Sequence, residues 1–439
     1  MSIYDKSSLV LIPSGTKTGK VFSQKPVSGD GDFTFTRASA ATRVNADGNI
    51  EKETGNLLLY SNTFSNSNWV KTGTTITSGQ SGYDGSNDAS LLLSTTTGFP
   101  RVEQTISTSG VLTYSVYLKE QNDSFALLRT YGATAQVWFD LTDGSVANEA
   151  GDDLIDASIE DIGNDWYRAS VTISGSFIKL RIYPASAYGV YSTASNGIYI
   201  QDAQVEQGLV ARDYIETTTA AVYGGITDNT PRLDYTDSSC PALLLEPLRT
   251  NFVTDSEYFA GLNLYGSVNA TYGAYTNPSG EDSAYLLAAT SAISRIQTLS
   301  SSGDGNDAVM SIFIKGNSNV SYPTLANQEG GQYTRWEFDA NNVLTYDNGD
   351  APTGDYGQED YGNGWYRIWL KTDTANSNVN YYRFNPDSRY GTGSLYAWGF
   401  QVEKNSSYLT SYIPTYGSSV SRVAEASYAS SASDVIGQT

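Results

Sequence analysis

The sequence contains a long internal duplication, which limits the folds open to the chain. Gly163-Asn164-Asp165-Trp166-Tyr167-Arg168 recurs as Gly362-Asn363-Gly364-Trp365-Tyr366-Arg367, 199 positions later. Four further pairs of segments follow the same order at offsets of 195 to 198: residues 56–64 with 251–259, 114–119 with 310–315, 198–206 with 395–403, and 213–217 with 411–415. Five matches in one order, at nearly one offset, indicate a duplicated domain.

Each copy has the pattern of an all-β domain. Several segments alternate β-branched and aromatic side chains with polar ones, which predicts strands: residues 112–118, 125–131, 167–173 and 177–183. Asp143-Gly144 and Asn348-Gly349 are typical of the turns that join strands. Because no convincing amphipathic helix is present, many strands at regular spacing indicate a sandwich or a jelly roll.

The duplication divides the chain into two copies and three other segments. We expect copy 1 at residues 53–220 and copy 2 at residues 250–427, each of ordinary domain length. Residues 1–52 are polar and Gly-rich and are predicted to be an arm, residues 221–249 a connector, and residues 428–439 a flexible C-terminal tail. The predicted fold is all-β, with two tandem jelly-roll β-sandwich domains and an irregular N-terminal arm.

Charge and composition argue against several classes of function. The chain carries 26 basic and 47 acidic residues, a formal charge of −21, which disfavours nucleic acid and anionic membranes as partners. It has no histidine, and its one cysteine, Cys240, allows neither an intrachain disulfide nor a cysteine-based zinc site. No apolar run is long enough to span a membrane, and residues 1–13 lack a signal-peptide pattern. We therefore expect assembly in a reducing cytoplasm and no membrane insertion.

Catalysis is not indicated by any motif. A carboxylate pair for glycoside hydrolysis can be drawn, for example Asp156 with Glu160, but nothing singles out this pair and the copies do not share it. No Gly-rich phosphate loop follows a predicted strand. We predict that the protein is not an enzyme.

Several motifs resemble a known group of virion proteins. Residues 33–39 are Phe-Thr-Phe-Thr-Arg-Ala-Ser, and residues 41–45 are Ala-Thr-Arg-Val-Asn. The connector contains Pro-Arg-Leu-Asp-Tyr at 231–235, Cys-Pro-Ala-Leu-Leu-Leu-Glu-Pro at 240–247, and Arg-Thr-Asn at 249–251. With the Trp-Tyr-Arg and Gln-Val-Glu strands and residues 410–415, these segments resemble tail-fibre, head-fibre and capsid-associated proteins of tailed bacteriophages. Such proteins carry concanavalin A-like or carbohydrate-binding jelly rolls.

The resemblance implies a structural virion protein, a tail or head fibre or decoration, that binds host-surface carbohydrate. It also implies docking to other virion proteins, which we expect through the N-terminal arm, and a homo-oligomer, either a trimer or a dimer. The expected location is the virion, assembled in the host cytoplasm. The alternative is a capsid cement or decoration protein with no ligand-binding role. A depolymerase is a third possibility and would require activity on host polysaccharide.

Trp166 and Trp365 are the most conspicuous residues of the duplication. An indole ring can stack on a sugar. However, each tryptophan stands at the entry to a predicted strand, where a large aromatic side chain typically closes the end of a sandwich core. We predict that both belong to the core.

A sugar site needs aromatic and hydrogen-bonding side chains on the same face of neighbouring strands. Alternation along the predicted strands gives as candidates Arg129, Tyr131, Arg181 and Tyr183 in copy 1, and Tyr381, Arg383, Tyr396 and Trp398 in copy 2. Arginine forks bind vicinal hydroxyls or sugar carboxylates, and Tyr and Trp rings stack on sugars. The alternative for each residue is a face that is only solvated or packs against another subunit.

No cofactor is predicted, and a structural calcium ion has only weak support. Asp202 and the loop Gly151-Asp152-Asp153 offer oxygen ligands. However, Gly399 takes the place of Asp202 in copy 2, and no loop has the twelve-residue calcium spacing. The competing interpretation is that these are ordinary turn residues.

Overall fold

A computed structural model describes residues 2–236, 238–299, 307–327, 333–347, 355–372 and 381–429. The chain divides into two compact units. One consists of residues 54–224 and corresponds to copy 1. The other consists of residues 1–53 and 225–439 and includes copy 2. Strands dominate the described residues, beside one short helix, α1 (Ile3–Lys6), and a 3₁₀ turn at Phe259–Gly261. No helix among these residues has the length and apolarity needed to cross a bilayer. The predicted all-β class is confirmed.

The strands are numbered in chain order. Five lie in the N-terminal segment: β1 (Val10–Lys17), β2 (Lys20–Lys25), β3 (Phe33–Thr36), β4 (Arg43–Val44) and β5 (Ile50–Glu51). Copy 1 contributes β6 (Thr54–Asn56), β7 (Trp69–Thr72), β8 (Thr74–Gln80), β9 (Ala89–Ser94), β10 (Arg101–Glu120), β11 (Phe125–Tyr131), β12 (Gln136–Asp140), β13 (Ser145–Ala150), β14 (Leu154–Gly163), β15 (Trp166–Ala187), β16 (Val190–Tyr191), β17 (Gly197–Gln207) and β18 (Val222–Gly224).

The connector and copy 2 contribute the remaining strands of the described residues. They are β19 (Arg232–Asp234), β20 (Ala242–Leu244), β21 (Arg249–Asn251), β22 (Asn263–Tyr265), β23 (Asn269–Tyr275), β24 (Ala284–Ala288), β25 (Arg295–Leu299), β26 (Ala308–Gly316), β27 (Thr324–Asn327), β28 (Tyr333–Phe338), β29 (Leu344–Tyr346), β30 (Tyr356–Asp360), β31 (Trp365–Thr372), β32 (Tyr381–Asn385), β33 (Ser394–Lys404), β34 (Val420–Arg422) and β35 (Ala426–Ala429). The turn predicted at Asn348-Gly349 and residues 430–439 of the predicted tail lie outside the described residues.

Copy 1 is a sandwich whose two layers share two long strands. The first half of β10 and the last half of β15 pair side by side and continue into β11, β12 and β13. The other halves pair with β14 on one side and with β17, β9 and β8 on the other. Between the halves, Gly110 pairs with Gly175, at φ values of +109° and +149° that suit glycine. This glycine pair lets both strands leave one layer and enter the other.

Strand alternation explains which side of the first layer of copy 1 is apolar. Val102, Ile182, Leu128 and Val137 follow one another across β10, β15, β11 and β12, and all four are fully or almost fully buried in one core cluster. Because side chains alternate along each strand, the residues between them point to the opposite side. That opposite side carries the polar and aromatic residues considered below.

Among the described residues, copy 2 repeats this sandwich as two sheets. One has the order β22-β25-β32-β27-β28-β29, and the other contains β23-β24-β33-β26-β31-β30 with β21 and β34 at its edge. By pairing and offset, β25 and β26 correspond to the two halves of β10, and β32 and β31 to those of β15. Its core includes Met310, Trp336, Phe384 and Phe400, each exposed by at most 1%.

Several duplicated motif residues have structural roles in both copies. Asn56 accepts hydrogen bonds from the backbone N–H groups of Leu58 and Val205, and Asn251 accepts the two equivalent bonds in copy 2. Trp166 and Trp365 are 2% and 3% exposed. The prediction that these two tryptophans belong to the core is confirmed.

The N-terminal segment and the connector pack with copy 2 in one unit through a buried ionic cluster. Glu425 binds Arg37 at 2.8 Å and Arg232 at 2.6 Å. Arg232 also binds Glu246 at 2.7 Å, and Glu246 binds Arg422 at 3.0 Å. None of these five side chains is more than 10% exposed. Since buried charges need partners, the motifs at 33–39 and 231–235 serve to hold this unit together.

Candidate functional site

The first layer of copy 1 presents a face that points away from the core and carries aromatic and charged side chains. Its cross-strand rows are Trp138, Leu127, Tyr183 and Arg101, then Gln136, Arg129, Arg181 and Glu103, then Tyr131, Lys179 and Thr105. Phe99, Tyr188 and Tyr191 adjoin the first row. We call this set of residues the copy-1 outer face.

An aromatic cluster forms one end of the copy-1 outer face. The ring of Tyr191 lies 5.6 Å from Trp138, 5.6 Å from Tyr183 and 4.7 Å from Phe99, and Tyr188 meets Trp138 edge-on at 5.7 Å. Phe99 and Tyr188 are 62% and 54% exposed, whereas Trp138 and Tyr183 are buried. The buried rings therefore support exposed rings that can stack on the apolar face of a sugar.

A buried carboxylate organises the charged part of the same face. Glu103 binds Arg181 Nε at 2.7 Å, Arg101 Nε at 2.9 Å and Lys179 Nζ at 2.9 Å. Burial alone would raise the pKa of Glu103, but hydrogen bonds from Arg101 and Lys179 and the charges of Arg101 and Arg181 lower it to about 2. Glu103 is thus ionised at neutral pH and fixes three cationic side chains on the face.

Arg129 and Tyr131 connect the charged row to a cleft. The guanidinium of Arg181 stacks over the ring of Tyr131 at 4.9 Å. Beside them, a cleft of about 530 Å³ is lined by Arg129, Tyr131 and residues 132–136 and 150–151. Tyr131 is 56% exposed at this cleft. A ring, a guanidinium and a cleft together offer stacking and hydrogen bonding to one ligand.

Copy 2 has a corresponding face on the sheet that contains β25, β32, β27 and β28. We define the copy-2 outer face by Arg295, Gln297, Tyr381, Arg383, Tyr322, Arg335, Arg389 and Tyr390. Tyr390 is 62% exposed, with its ring 5.3 Å from Tyr322, and Arg389 lies 4.9 Å over the Tyr322 ring. Tyr390-Gly391 repeats the Tyr188-Gly189 turn of copy 1. Both outer faces therefore carry an exposed tyrosine at the same turn.

Of the eight residues predicted from the sequence, four lie together on the copy-1 outer face and two on the copy-2 outer face. Arg129, Tyr131, Arg181 and Tyr183 all lie on the copy-1 outer face, where Tyr183, 2% exposed, supports other rings. Tyr381 and Arg383 lie together on β32 in the copy-2 outer face. The remaining pair, Tyr396 and Trp398, lies on β33 in the other sheet of copy 2.

Trp398 is fully buried, so its indole is not accessible to a ligand in this structure. Val44 and Ile50 of the N-terminal segment lie in the same apolar cluster, and Lys52 Nζ is 5.4 Å from the ring. Tyr396 is partly exposed and packs against Tyr275 at 4.7 Å. Alternation along β33 could not reveal this arrangement, because the covering residues are about 350 positions away in the sequence.

The residues that the sequence analysis did not select are aromatic and lie in turns or on other strands. They are Phe99, Trp138, Tyr188 and Tyr191 in copy 1, and Tyr322 and Tyr390 in copy 2. Tyr188 and Tyr390 share a Tyr-Gly pair at an offset of 202. This repeat is a sequence signal for Tyr188 and Tyr390.

Solved structures with tandem carbohydrate-binding modules align with most of this chain at low sequence identity. No protein-family model matches the sequence, and a search of curated proteins finds no significant match. Among solved structures, the tandem CBM22 domains of Paenibacillus barcinonensis Xyn10C align over 80% of this chain and 97% of their own, at 11% identity and a TM-score of 0.25. The tandem CBM51 modules of a family 98 glycoside hydrolase from Streptococcus pneumoniae align over 85% and 100%, at 8% identity and a TM-score of 0.20.

A third similar structure contains the M60 catalytic domain and two CBM51 domains of Clostridium perfringens ZmpB. It aligns over 88% of this chain but only 44% of its own, at 10% identity and a TM-score of 0.21. The function proposed below depends on the side chains of the two outer faces.

Two of the residues considered as calcium ligands, Asp202 and Asp153, accept hydrogen bonds within copy 1. Asp202 accepts a hydrogen bond from the Tyr83 hydroxyl at 3.0 Å, and Asp153 accepts bonds from the Thr134 backbone at 2.7 Å and hydroxyl at 3.1 Å. Burial, with a smaller contribution from nearby acidic residues, raises the pKa of Asp202 to about 7. Within the described ranges, no three His, Cys, Asp or Glu side chains are grouped as a metal site would require.

The acid pair considered for hydrolysis lies away from the copy-1 outer face. Asp156 and Glu160 are on β14, in register with Thr172 and Arg168 on the first half of β15. This half belongs to the second layer of the sandwich, whereas the outer face belongs to the first. Burial raises the pKa of Asp156. Neither carboxylate therefore faces the aromatic cluster or the cleft.

Proposed function

We propose that this protein is a non-enzymatic carbohydrate-binding protein whose two outer faces each hold a glycan. The observation that carries the proposal is the convergence of exposed aromatic rings and arginines on one face of a sandwich, present in both copies. Phe99, Tyr188 and Tyr131 supply rings in copy 1, and Tyr390 does so in copy 2. Sugars offer apolar ring faces for stacking and hydroxyls for hydrogen bonds, and these faces provide partners for both.

Two weak sites on one chain give useful affinity if a polymer can reach both. Each exposed face is open, so we expect millimolar to micromolar affinity for a single face. A long polysaccharide that occupies one face raises its own effective concentration at the other. Oligomers of the chain would multiply the effect.

Tyrosine substitutions test the proposal directly. The full chain is titrated with a panel of soluble polysaccharides, neutral and acidic, in affinity gels and by calorimetry. Tyr188→Ala combined with Tyr390→Ala should reduce affinity by roughly tenfold or more, because each ring contributes on the order of 1 kcal/mol of stacking. Both side chains are more than half exposed, so the variant should keep the melting temperature of the parent.

Tyr4→Ala is the matched control. Tyr4 is 47% exposed on α1 with Lys25 Nζ 5.4 Å from its ring, so it resembles the tested tyrosines but lies outside both faces. It should leave binding unchanged. If the parent chain binds no member of the panel at millimolar sugar concentration, or if the double variant binds as tightly as the parent, the proposal fails.

We further propose that the chain is a component of a tailed-bacteriophage particle, as a tail or head fibre or a decoration, assembled in the host cytoplasm. The motifs at 33–45 and 231–251 support this assignment by resemblance. In it, the N-terminal segment contacts other virion proteins, the chain is a trimer or a dimer, and the bound glycan belongs to the host surface. Immunogold microscopy of particles with antibody against copy 2 tests the location. Even label over the capsid shell, together with no glycan binding, would support the cement alternative.

A further inference from the structure

The two outer faces concentrate positive charge on a strongly acidic chain. The whole sequence has 47 acidic and 26 basic residues. The three cross-strand rows of the copy-1 outer face nevertheless carry four cations, Arg101, Arg129, Lys179 and Arg181, and one carboxylate, Glu103. Solvated surfaces normally mix both signs. A local excess of three positive charges against the overall charge indicates a partner of negative charge.

The cross-strand register makes this concentration unfavourable without a ligand. Arg129 and Arg181 are direct partners on adjacent strands of the copy-1 outer face. Like charges in this arrangement destabilise a sheet. Asp140, on the same side of β12, lies at the strand end and is engaged by the Thr142 backbone at 2.9 Å. The three cross-strand rows therefore contain no second carboxylate that could neutralise Arg129.

The copy-2 outer face also carries more arginines than carboxylates, although Asp347 binds two of its four arginines, Arg335 at 2.6 Å and Arg389 at 3.4 Å. Gln297 pairs with Arg383, as Glu103 pairs with Arg181 in copy 1. Arg295 donates to the Gln297 side chain at 2.9 Å. The buried Nε of Arg383 has no hydrogen-bond partner among the described residues. Burial and the charge of Arg295 lower the pKa of Arg383. Among the described residues this half-buried guanidinium has no counter-ion, and an anionic ligand would stabilise it.

We propose that both outer faces select acidic polysaccharide, and that Arg181 with Arg129 in copy 1 and Arg383 in copy 2 bind the carboxylate of a uronic acid. This inference rests on the proposed function and names the ligand class of the same faces. A guanidinium matches a carboxylate with two parallel hydrogen bonds, and the rings of Tyr131 and Tyr188 can stack on the same or the next sugar. Neutral glycans would lack the charged contact.

The net charge of −21 does not prevent this binding. At physiological ionic strength, exposed charges are screened beyond about 8 Å. A polymer carboxylate in contact with Arg129 or Arg383 therefore responds mainly to the local cations. The distant acidic residues slow association, and the contact itself should weaken with salt.

Chemically matched polymers test the inference. Polygalacturonate, hyaluronan and alginate are each compared with their carboxyl-reduced forms, which keep the polymer and lose the charge. The full chain should bind at least one acidic polymer about tenfold or more tightly than its reduced form, as expected for a charge-assisted hydrogen-bonded pair. Raising NaCl from 50 to 500 mM should weaken binding of the acidic form and leave the reduced form unchanged.

Arginine substitutions assign the effect to the faces. Arg129→Gln combined with Arg383→Gln should abolish the preference for the acidic polymer and retain weak binding to the reduced form. Lys6→Gln removes one positive charge from exposed α1 and should change nothing. The melting temperature of each variant shows whether it is folded. If the double variant does not fold, the same comparison is made with Arg129→Gln alone.

The outcomes separate the two proposals. If the chain binds acidic and reduced polymers with equal affinity, and Tyr188→Ala combined with Tyr390→Ala still weakens this binding, the acidic selectivity is overturned and carbohydrate binding stands. A preference that survives Arg129→Gln with Arg383→Gln also overturns the assignment to these residues. Absence of binding to every polymer, acidic or neutral, overturns the proposed function itself.

Discussion

Arg129 and Arg181 stand directly opposite each other on β11 and β15, with both side chains on the copy-1 outer face. Arg181 is neutralised by Glu103 at 2.7 Å and stacks on Tyr131, whereas Arg129 lies near the hydroxyl of Tyr191. A like-charged pair in direct register reduces the stability of a sheet. This arrangement therefore lowers the stability of the sheet but favours the binding of an anionic ligand.

Arg129→Gln should separate stability from binding. Removing one of two like charges should leave the free energy of unfolding of the copy-1 unit unchanged or raise it by up to about 0.5 kcal/mol. Arg181→Gln, which breaks the ion pair with buried Glu103, should lower it by roughly 1–3 kcal/mol. Calorimetric melting of both variants measures the difference. Equal destabilisation by the two changes would contradict the assigned roles.

Much of the copy-1 outer face could be predicted because its residues alternate along single strands. Arg129 with Tyr131 and Arg181 with Tyr183 share a face by period alone, and the sheet then places the two strands side by side. Alternation along a strand does not predict which strands become neighbours in the sheet. Trp138 and Tyr191 were missed for that reason, since each joins the cluster through pairing with β11 or β15.

Burial of Trp398 could not be predicted from its own strand. The pattern of β33 is the same whether its outer side meets water or another segment. In the structure, Val44 and Ile50 join its apolar cluster, and they belong to a segment expected to be an irregular arm. That segment also supplies Arg37 to the ionic cluster around Glu425. Polar, Gly-rich composition gave no sign of these long-range contacts.

Trp398→Ala should therefore act on stability rather than on ligand binding. Loss of a fully buried indole typically costs about 3–5 kcal/mol, and the melting temperature of the copy-2 unit should fall by several degrees. The fraction that remains folded at low temperature should bind polysaccharide as the parent does. A selective loss of binding with unchanged melting would instead place Trp398 in a ligand site. Tyr390→Ala should show the opposite behaviour, with weaker binding and an unchanged melting temperature.

Glu425→Gln tests the buried ionic cluster. The carboxylate of Glu425 is fully buried and binds Arg37 and Arg232, so its neutralisation leaves two guanidiniums short of a counter-charge. We expect a loss of about 3–5 kcal/mol, or roughly 6–20 °C in the melting temperature of that unit. Glu51→Gln is the control, because Glu51 binds Arg43 at 2.8 Å but its side chain is 31% exposed. It should cost less than about 1 kcal/mol. Similar losses for both would show that the buried cluster has no special role.

Asp202 should make the stability of copy 1 fall as the pH rises. Its pKa is raised from 3.8 to about 7 by burial first, and further by Asp88 and Asp84, so the folded state resists its ionisation. The carboxyl group is neutral in both the folded and the unfolded state below about pH 4. Between pH 4 and 7 it ionises in the unfolded state more readily than in the folded state, so the free energy of unfolding falls. Above about pH 7 there is no further fall.

Asp202→Asn removes this cost and keeps an acceptor for the Tyr83 hydroxyl, and asparagine tolerates the φ of +51° at this position. In EDTA-containing buffer, the variant should melt with the parent at pH 4 and roughly 3–8 °C higher at pH 8. Asp152→Asn, an exposed carboxylate of the same copy, should give no pH-dependent difference. If Asp202→Asn instead melts lower than the parent at pH 8, the ionised carboxylate stabilises copy 1, and the sign assigned to its burial is wrong.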